Sequence, residues 1–250
     1  MTRKIFLTLT VALACAASAF AITQEEADAK AMKKYPSFLT ASQLPNGVKY
    51  LPAPPDTSSV RFYDDWLQYN WGKSQRATER GLQAVFDSYT QPDSVLKGFA
   101  PALGGLQVTS LTMPETVKLV KYVISDACKA CEFAKQHHFR KRPYLQMREG
   151  TLIPDEEASH VLSGSYPSNH SALGWATALV LVGLFPDCQD AILERGYQYG
   201  QSRVIAGYHY QSDVDASRMA ASAAFARIQI EKAYQEQFAK ARREVERARR

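Results

Sequence analysis

The sequence has little of what marks a metal-binding, disulfide-stabilised or membrane-embedded protein. Only four cysteines occur in 250 residues, and histidine, cysteine and acidic residues nowhere cluster at the spacing of a metal site. Beyond the N-terminal segment, the apolar run Ala172 to Phe185 is shorter than the about 20 residues that a membrane-spanning helix needs. Strand signals are weak throughout. The sequence therefore predicts an all-α protein with no cofactor, no metal and no integral membrane segment in its mature form.

Residues 1–21 have the pattern of a secretory signal peptide. Arg3 and Lys4 form a positively charged start, Ile5 to Ala14 form a short apolar segment, and Ala19-Phe20-Ala21 is a cleavage site of the small-x-small type. We therefore predict that the mature protein is periplasmic or secreted.

Residues 22–250 are predicted to form a single helical domain. Residues 22–57 are rich in turn formers and indicate an irregular arm, whereas 240–250 indicate a charged tail that is solvated or frayed. Much of the basic excess behind the net charge of +5 lies in that tail, where glutamates are mixed with arginines. An exported chain without stripes of basic and aromatic residues is not expected to bind nucleic acid.

Helical periodicity runs through the chain from Val60 onward. Thr112 and Glu115 form a capping-box pattern, and the helix that follows should stop by about residue 140 because Pro143 disfavours helix at the residue before it. The other predicted elements are a loop over 144–167, a central buried helix ending near 186, a helix over 187–199 capped by Asp187, and a helix from 210 to about 240.

Two cations in the segment KQHHFRKRP are candidates for binding an anion. Lys135 and Arg142 are seven residues apart, or two helical turns, and face one side if the helix continues nearly to Arg142. A solvated basic helix end, which the helix dipole favours, explains the same residues. His137 and His138 are adjacent, point apart on a helix and make a poor metal pair.

The segment PSNH, residues 167–170, opens the central helix. A helix N-terminus presents unpaired N–H groups and a partial positive charge, so it is suited to an anion. Ser168 can donate its hydroxyl, the N–H groups near Asn169 can join it, and His170 can deliver a proton. The alternative is that Ser168 merely caps the helix.

A third cluster, SRVIAGYHYQSD, places His209 and Asp213 four residues apart. On a helix these are neighbours, and a carboxylate bonded to one imidazole nitrogen makes the other a better base or nucleophile. Arg203 can supply a planar fork for phosphate. A surface His–Asp pair is the alternative. Together the clusters supply three cations, a helix N-terminus and two histidines, a set suited to phosphoryl transfer.

In order and spacing, the three clusters resemble the class A bacterial non-specific acid phosphatases. These belong to the superfamily of type-2 phosphatidic acid phosphatases, which also includes vanadium haloperoxidases. The superfamily pattern K-x6-R-P, P-S-G-H and S-R-x5-H-x3-D is matched except at Asn169, which replaces the glycine. The resemblance covers roughly residues 60–235. It implies an all-α domain that needs no metal and is often a homo-oligomer.

The resemblance also implies roles for the residues of the three clusters. His209 would be the nucleophile that forms a phosphohistidine, Asp213 would orient it, and His170 would protonate the leaving alkoxide and then activate water. The substrates would be small-molecule phosphate monoesters of broad specificity. The residues that would hold the phosphate oxygens are Lys135, Arg142, Ser168, Asn169 through its backbone, and Arg203.

Asn169 is the one departure from the superfamily pattern. Glycine at this position lets the backbone approach an anion or adopt positive φ, and asparagine is among the residues that best tolerate that conformation. We therefore expect the fold and the anion site to survive, with a side chain beside the pocket affecting rate and phosphate affinity.

The resemblance also bears on the three cysteines beyond residue 21. If Lys135 and His170 meet at one phosphate, Cys131 lies about one turn from it, whereas Cys188 lies about 27 Å away along the central helix. A disulfide requires Cα atoms within about 7 Å. Within this chain, a local Cys128–Cys131 bridge is therefore expected over either bridge to Cys188.

Two other functions are compatible with the same residues. Vanadate mimics the phosphoryl transition state, so a vanadate-dependent haloperoxidase would bind it with the same side chains, although the chain is short for that group. A site that has lost catalysis at Asn169 would instead bind phosphate without turnover.

Overall fold

The fold is built from helices alone in the part of the chain that the structure, a computed structural model, describes, residues 36–249. This confirms the all-α prediction. The predicted signal peptide, 1–21, and the first part of the predicted arm, 22–35, lie outside the described residues. The rest of the arm is largely irregular, with 3-10 turns at Ala41–Gln43 and Gly47–Lys49. Over the described ranges, no helix combines the length and hydropathy that a membrane span requires.

The α-helices are numbered here in chain order. They are α1 (Val60–Gln75), α2 (Glu79–Phe86), α3 (Pro92–Phe99), α4 (Pro114–His137), α5 (Pro143–Met147), α6 (Glu157–His160), α7 (Asn169–Leu184), α8 (Gln189–Ala206), α9 (Gln211–Ile228) and α10 (Lys232–Ala248). Further 3-10 turns lie at Ala100–Leu103, Pro154–Glu156 and Pro186–Cys188.

The core surrounds α7, the predicted central helix. This helix is apolar on nearly every side, and a helix of that kind is stable only when other elements cover it all round. It packs against α4, α8 and α9, and most of its residues are buried. Gly174 allows the close approach of α8, because a Cβ there would lie 2.4 Å from the Cβ of Tyr199. The buried core thus fixes the position of the N-terminus of α7, where the PSNH segment lies.

The N-terminus of α4 is capped by another helix, so the predicted Thr112–Glu115 capping box is wrong. Met113 is the N-cap residue, and the hydroxyl of Thr112 donates to the carbonyl of Gln107 at 3.2 Å instead. The carboxylate of Glu244, from α10, accepts the backbone N–H groups of Glu115 at 2.9 Å and Thr116 at 2.8 Å. The predicted end of α4 is confirmed, because the helix stops at His137.

The C-terminal region differs from the prediction in two ways. The predicted single helix from 210 to 240 is two helices, α9 and α10, separated by residues 229–231. The predicted charged tail is helical through Ala248 and packs on α4. Its stripe of Ala241, Glu244 and Val245 is buried, so the segment is neither frayed nor fully solvated.

Two smaller boundaries also differ. The helix predicted to end at Tyr199 continues to Ala206, and its N-cap is Cys188 rather than Asp187. The predicted loop 144–167 contains the short helices α5 and α6.

The three cysteines of the described chain are free thiols, so the predicted Cys128–Cys131 bridge is not formed. Both residues lie in the middle of α4, a continuous helix, and they have different surroundings. Cys128 Sγ donates to the carbonyl oxygen of Asn169 at 3.6 Å, whereas Cys131 is fully buried. Burial raises the pKa of the Cys128 thiol to about 12, so it remains protonated near neutral pH.

Candidate active site

His209 lies in a turn between two helices. α8 ends before Gly207, which adopts a left-handed φ of 87°. The Nδ1 of His209 lies 2.8 Å from the carbonyl oxygen of Ser165, and its Nε2 lies 3.0 Å from a guanidinium nitrogen of Arg142. Because a carbonyl only accepts and an arginine only donates, Nδ1 carries the proton and Nε2 keeps its lone pair. Nε2 is therefore the nitrogen able to act as a nucleophile.

Asp213 reaches His209 from the first turn of α9. The prediction that the two residues share a helix face is wrong, because they meet where the chain enters α9. Asp213 Oδ2 lies 3.6 Å from His209 Nδ1, within ion-pair range but longer than a hydrogen bond. The hydroxyl of Ser165 donates to the same carboxylate oxygen, and its carbonyl accepts from His209. Ser165 thus links the carboxylate to the imidazole.

A buried arginine balances the charge of Asp213. Arg140 donates to Asp213 Oδ1 at 2.6 Å and to Asp65 Oδ2 at 2.6 Å, and its guanidinium lies 4.0 Å from the ring centroid of Tyr210. Desolvation raises the pKa of Asp213. The charge of Arg140, then the nearby His209, and then the hydrogen bond from Ser165 outweigh that effect and hold this pKa well below its usual range. Asp213 is therefore ionised near neutral pH.

Lys135 and Arg142 meet at the segment 163–167. They do not lie on one helix, because α4 ends at His137, between them. Lys135 Nζ donates to the carbonyls of Gly164, at 3.1 Å, and Pro167, and Arg142 Nε donates to the carbonyl of Ser163 at 3.0 Å. Burial and the charge of Arg203 lower the pKa of Arg142 to about 10. The structure therefore brings these cations to one place, but not through the continuous helix on which the prediction depended.

Arg203 is a fully buried cation that lacks hydrogen bonds. It lies in the last turn of α8, and within residues 36–249 none of its three guanidinium nitrogens has a hydrogen-bond partner. Its guanidinium lies 4.7 Å from the ring centroid of Tyr208, and one nitrogen lies 4.0 Å from Glu156 Oε2. Buried N–H donors without hydrogen bonds are costly, so the arrangement indicates a site for an anionic ligand that accepts them.

Ser168 is the N-cap of α7 and is fully buried. Its Oγ accepts the N–H of Ser171 at 3.3 Å and the hydroxyl of Ser171 at 2.9 Å. Ser168 therefore caps the helix. Both contacts use the oxygen of Ser168 as an acceptor, so its hydroxyl proton can still be given to an anion.

Asn169 does not adopt the conformation that the superfamily glycine would allow. Arg148 is the one non-glycine residue with positive φ in the described part of the chain. The side chain of Asn169 turns toward α4, where Nδ2 donates to Glu132 Oε1 at 2.8 Å. Residue 169 therefore needs no special backbone freedom here, and its side chain is held by a partner on a neighbouring helix.

His170, in the first turn of α7, is oriented by a backbone carbonyl. Its Nε2 lies 3.2 Å from the carbonyl oxygen of Ser88, so Nε2 carries a proton and Nδ1 is left for exchange with a ligand. Burial and then the charge of Arg203 lower the pKa of His170 well below its usual value. Burial and then the charge of Arg142 do the same for His209. An anion bound among these cations would raise both pKa values.

Four residues of this site carried no recognisable sequence signal: Arg140, Asp65, Ser165 and Glu156. Arg140 stands in a run of basic residues that resembles a solvated helix end. Asp65 is one of two adjacent aspartates in an amphipathic helix. Only the fold shows which of the two aspartates is buried.

Among the described residues, no group of three or more histidine, cysteine and acidic side chains could hold a metal ion.

Comparison with known proteins finds a family model and several similar phosphatases. The model of the PAP2 superfamily matches residues 116–233. A non-specific acid phosphatase of Providencia stuartii is 41% identical over 208 residues, covering 83% of this chain and 84% of that protein. A non-specific acid phosphatase of Salmonella typhimurium is 34% identical, with 83% of each chain covered. An acid phosphatase of Zymomonas mobilis is 31% identical, covering 80% of this chain and 75% of the relative.

The fold, the three clusters and these relatives together define the class. The chain belongs to the PAP2 superfamily and, within it, to the class A bacterial non-specific acid phosphatases.

Proposed function

We propose that this acid phosphatase is exported and hydrolyses phosphate monoesters of broad specificity, without a metal, through a phosphohistidine on His209. One observation carries the proposal. A neutral histidine presents its Nε2 lone pair to Arg142, in an electrostatic environment that includes Lys135 and a buried Arg203 without hydrogen bonds. The names of the relatives, all acid phosphatases, support the substrate class.

The phosphate oxygens would be held by Lys135, Arg142, Arg203 and the hydroxyl of Ser168. These groups neutralise the charge on the equatorial oxygens and position the phosphorus, which is most of what phosphoryl transfer requires. A bound phosphate would also accept the hydrogen bond that Arg142 now gives to His209 Nε2. Substrate binding would therefore free the lone pair that attacks.

In the first step, His209 Nε2 attacks the phosphorus and the bond to the ester oxygen breaks. Because the bound phosphate raises the pKa of His170, His170 would be protonated on both nitrogens, and its Nδ1 gives that proton to the leaving alkoxide, which departs as an alcohol. In the second step, the neutral His170 takes a proton from water, and the resulting hydroxide attacks the phosphohistidine. Inorganic phosphate leaves, and His209 and His170 return to their starting states. Asp213, through its charge and Ser165, stabilises the positive charge on His209.

The test is hydrolysis of p-nitrophenyl phosphate at pH 5 to 6 in the presence of EDTA. Turnover should survive EDTA, and His209→Ala should lower kcat by about 10³-fold or more because the nucleophile is lost. His137→Ala is the matched control, since His137 is an exposed histidine at the end of α4 and its loss should leave turnover unchanged.

The covalent step needs its own measurement. Enzyme mixed with ³²P-labelled substrate and quenched in alkali should carry label in the wild type and none in His209→Ala. Loss of all turnover in EDTA that zinc or magnesium restores would contradict the metal-free mechanism. Bromide oxidation by peroxide that depends on added vanadate would indicate a haloperoxidase, and phosphate binding without turnover would indicate a site that has lost catalysis.

A further inference from the structure

A carboxylate lies beside the unpaired guanidinium of Arg203. Glu156 ends the 3-10 turn Pro154–Glu156, and its Oε2 lies 4.0 Å from Arg203 Nη2. Within the described chain this oxygen, like the guanidinium nitrogens, is buried without a hydrogen-bond partner. At 4.0 Å the two groups neutralise each other's charge but do not form a hydrogen bond. Both groups therefore remain able to form hydrogen bonds with a ligand.

The backbone on either side of Glu156 is fixed. The hydroxyl of Tyr208 donates to the carbonyl of Ile153 at 2.7 Å, and the hydroxyl of Tyr144 donates to the carbonyl of Glu157 at 3.0 Å. The side chain of Glu156 is 32% exposed, so solvent is accessible to it. The carboxylate can therefore leave Arg203 by rotation of one side chain, without opening of the segment that carries it.

We propose that Glu156 is the internal counter-ion of Arg203, and that phosphate displaces its carboxylate on binding. This inference deepens the proposed function and rests on Arg203 as a phosphate ligand. A carboxylate close to Arg203 repels dianionic phosphate. A phosphate monoanion can instead use its hydroxyl to donate a hydrogen bond to that carboxylate. Glu156 therefore weakens the binding of the dianion and makes the site discriminate between phosphate groups by their charge.

Calorimetric titration of the mature protein with inorganic phosphate at neutral pH tests the inference without requiring turnover. Glu156→Gln keeps the shape of the side chain and removes its charge, so phosphate should bind about tenfold more tightly, equivalent to about 1.4 kcal/mol. Asp155→Asn is the matched control, because it removes the same charge at an exposed neighbour in the same turn. It should change the dissociation constant less than about twofold.

Thermal unfolding gives a second readout. In the absence of phosphate, Glu156→Gln should lower Tm, because Arg203 loses its counter-ion. Saturating phosphate should raise the Tm of this variant more than that of the wild type, since a ligand stabilises the state it binds. If Glu156→Gln does not fold, Glu156→Asp draws the carboxylate back by one methylene and should tighten binding by a smaller factor.

The outcomes separate this inference from the proposed function. If Glu156→Gln binds phosphate as the wild type and Asp155→Asn do, or more weakly, Glu156 is not a competing counter-ion and the inference is overturned, while the phosphate site stands. If the wild type does not bind phosphate, or if Arg203→Gln binds it unchanged, the proposed phosphate site itself is wrong and the inference falls with it.

Discussion

Replacing Arg140 by glutamine should destabilise the fold and slow catalysis together. Arg140 lies 2.6 Å from Asp65 and 2.6 Å from Asp213, and these carboxylates are 1% and 0% exposed. Glutamine would leave both without a cation. Breaking a buried ion pair by removing one partner costs about 3–5 kcal/mol, so we expect the free energy of unfolding to fall by about that amount at pH 7.

The loss should depend on pH in a defined direction. The folded-state pKa of Asp213 is depressed below its usual value, so its pairing stabilises the fold above the unfolded pKa of about 3.9. That contribution is lost as pH falls toward the folded pKa. In Arg140→Gln the folded-state pKa of Asp213 should return much of the way to its usual value. The difference in unfolding free energy between wild type and variant should therefore be largest at neutral pH and shrink below about pH 4.

Urea unfolding at pH 7 and pH 3.5 measures this difference, with phosphatase activity assayed on the same samples. Lys141→Gln is the matched control, since it removes the same charge from an exposed neighbour. Arg140→Lys should recover part of the stability, because one ammonium restores the charge but cannot bridge two carboxylates as a planar guanidinium does. The reasoning fails if Arg140→Gln and Lys141→Gln unfold alike, or if their difference does not depend on pH.

Changes at three other residues have expected outcomes. Glu244→Gln weakens the cap on α4 at Thr116, and thermal or urea unfolding should show a loss of about 1 kcal/mol with kcat unchanged. Asn169→Gly removes the hydrogen bond to Glu132 but needs no new backbone conformation, so it should keep turnover, whereas Asn169→Asp sets like charges together and should raise the KM for p-nitrophenyl phosphate. The lowered folded-state pKa of His209 makes stability fall as pH drops below about 6.5, by up to about 1.4 kcal/mol per pH unit, and urea unfolding of His209→Gln should show a flatter dependence.

The parts of the structure that the sequence predicted correctly depend on local pattern. α7 is apolar on nearly every side, so the sequence alone predicts that it is buried. Pro143 disfavours helix at Arg142, and α4 ends before that limit, at His137. The residues of the three clusters could be selected because their chemistry is complementary. That they converge at the segment 163–167 and the start of α7 is visible only in the fold.

The parts that were missed depend on partners distant in the chain. α4 is capped by Glu244, 129 positions from Glu115. No pattern near Thr112 shows that the carboxylate of Glu244 accepts these N–H groups in place of the Thr112 hydroxyl. Arg140 and Arg142 stand in one basic run, yet one neutralises buried carboxylates and the other faces His209. The spacing from Lys135 and the K-x6-R-P pattern select Arg142, but nothing in the sequence shows the role of Arg140, which only tertiary contacts reveal.

Backbone carbonyls determine which ring nitrogen carries the proton in the two histidines of the site. His209 donates a hydrogen bond from Nδ1 to the carbonyl of Ser165, which leaves Nε2 available to a ligand. His170 donates a hydrogen bond from Nε2 to the carbonyl of Ser88, which leaves Nδ1 available. A backbone carbonyl can only accept, so the position of the backbone determines each tautomer, and the donor Arg142 reinforces that of His209. A substitution can move such a carbonyl but cannot turn it into a donor. In the proposed mechanism, the motif therefore selects the two histidines, while the fold determines that opposite ring nitrogens would serve as nucleophile and acid.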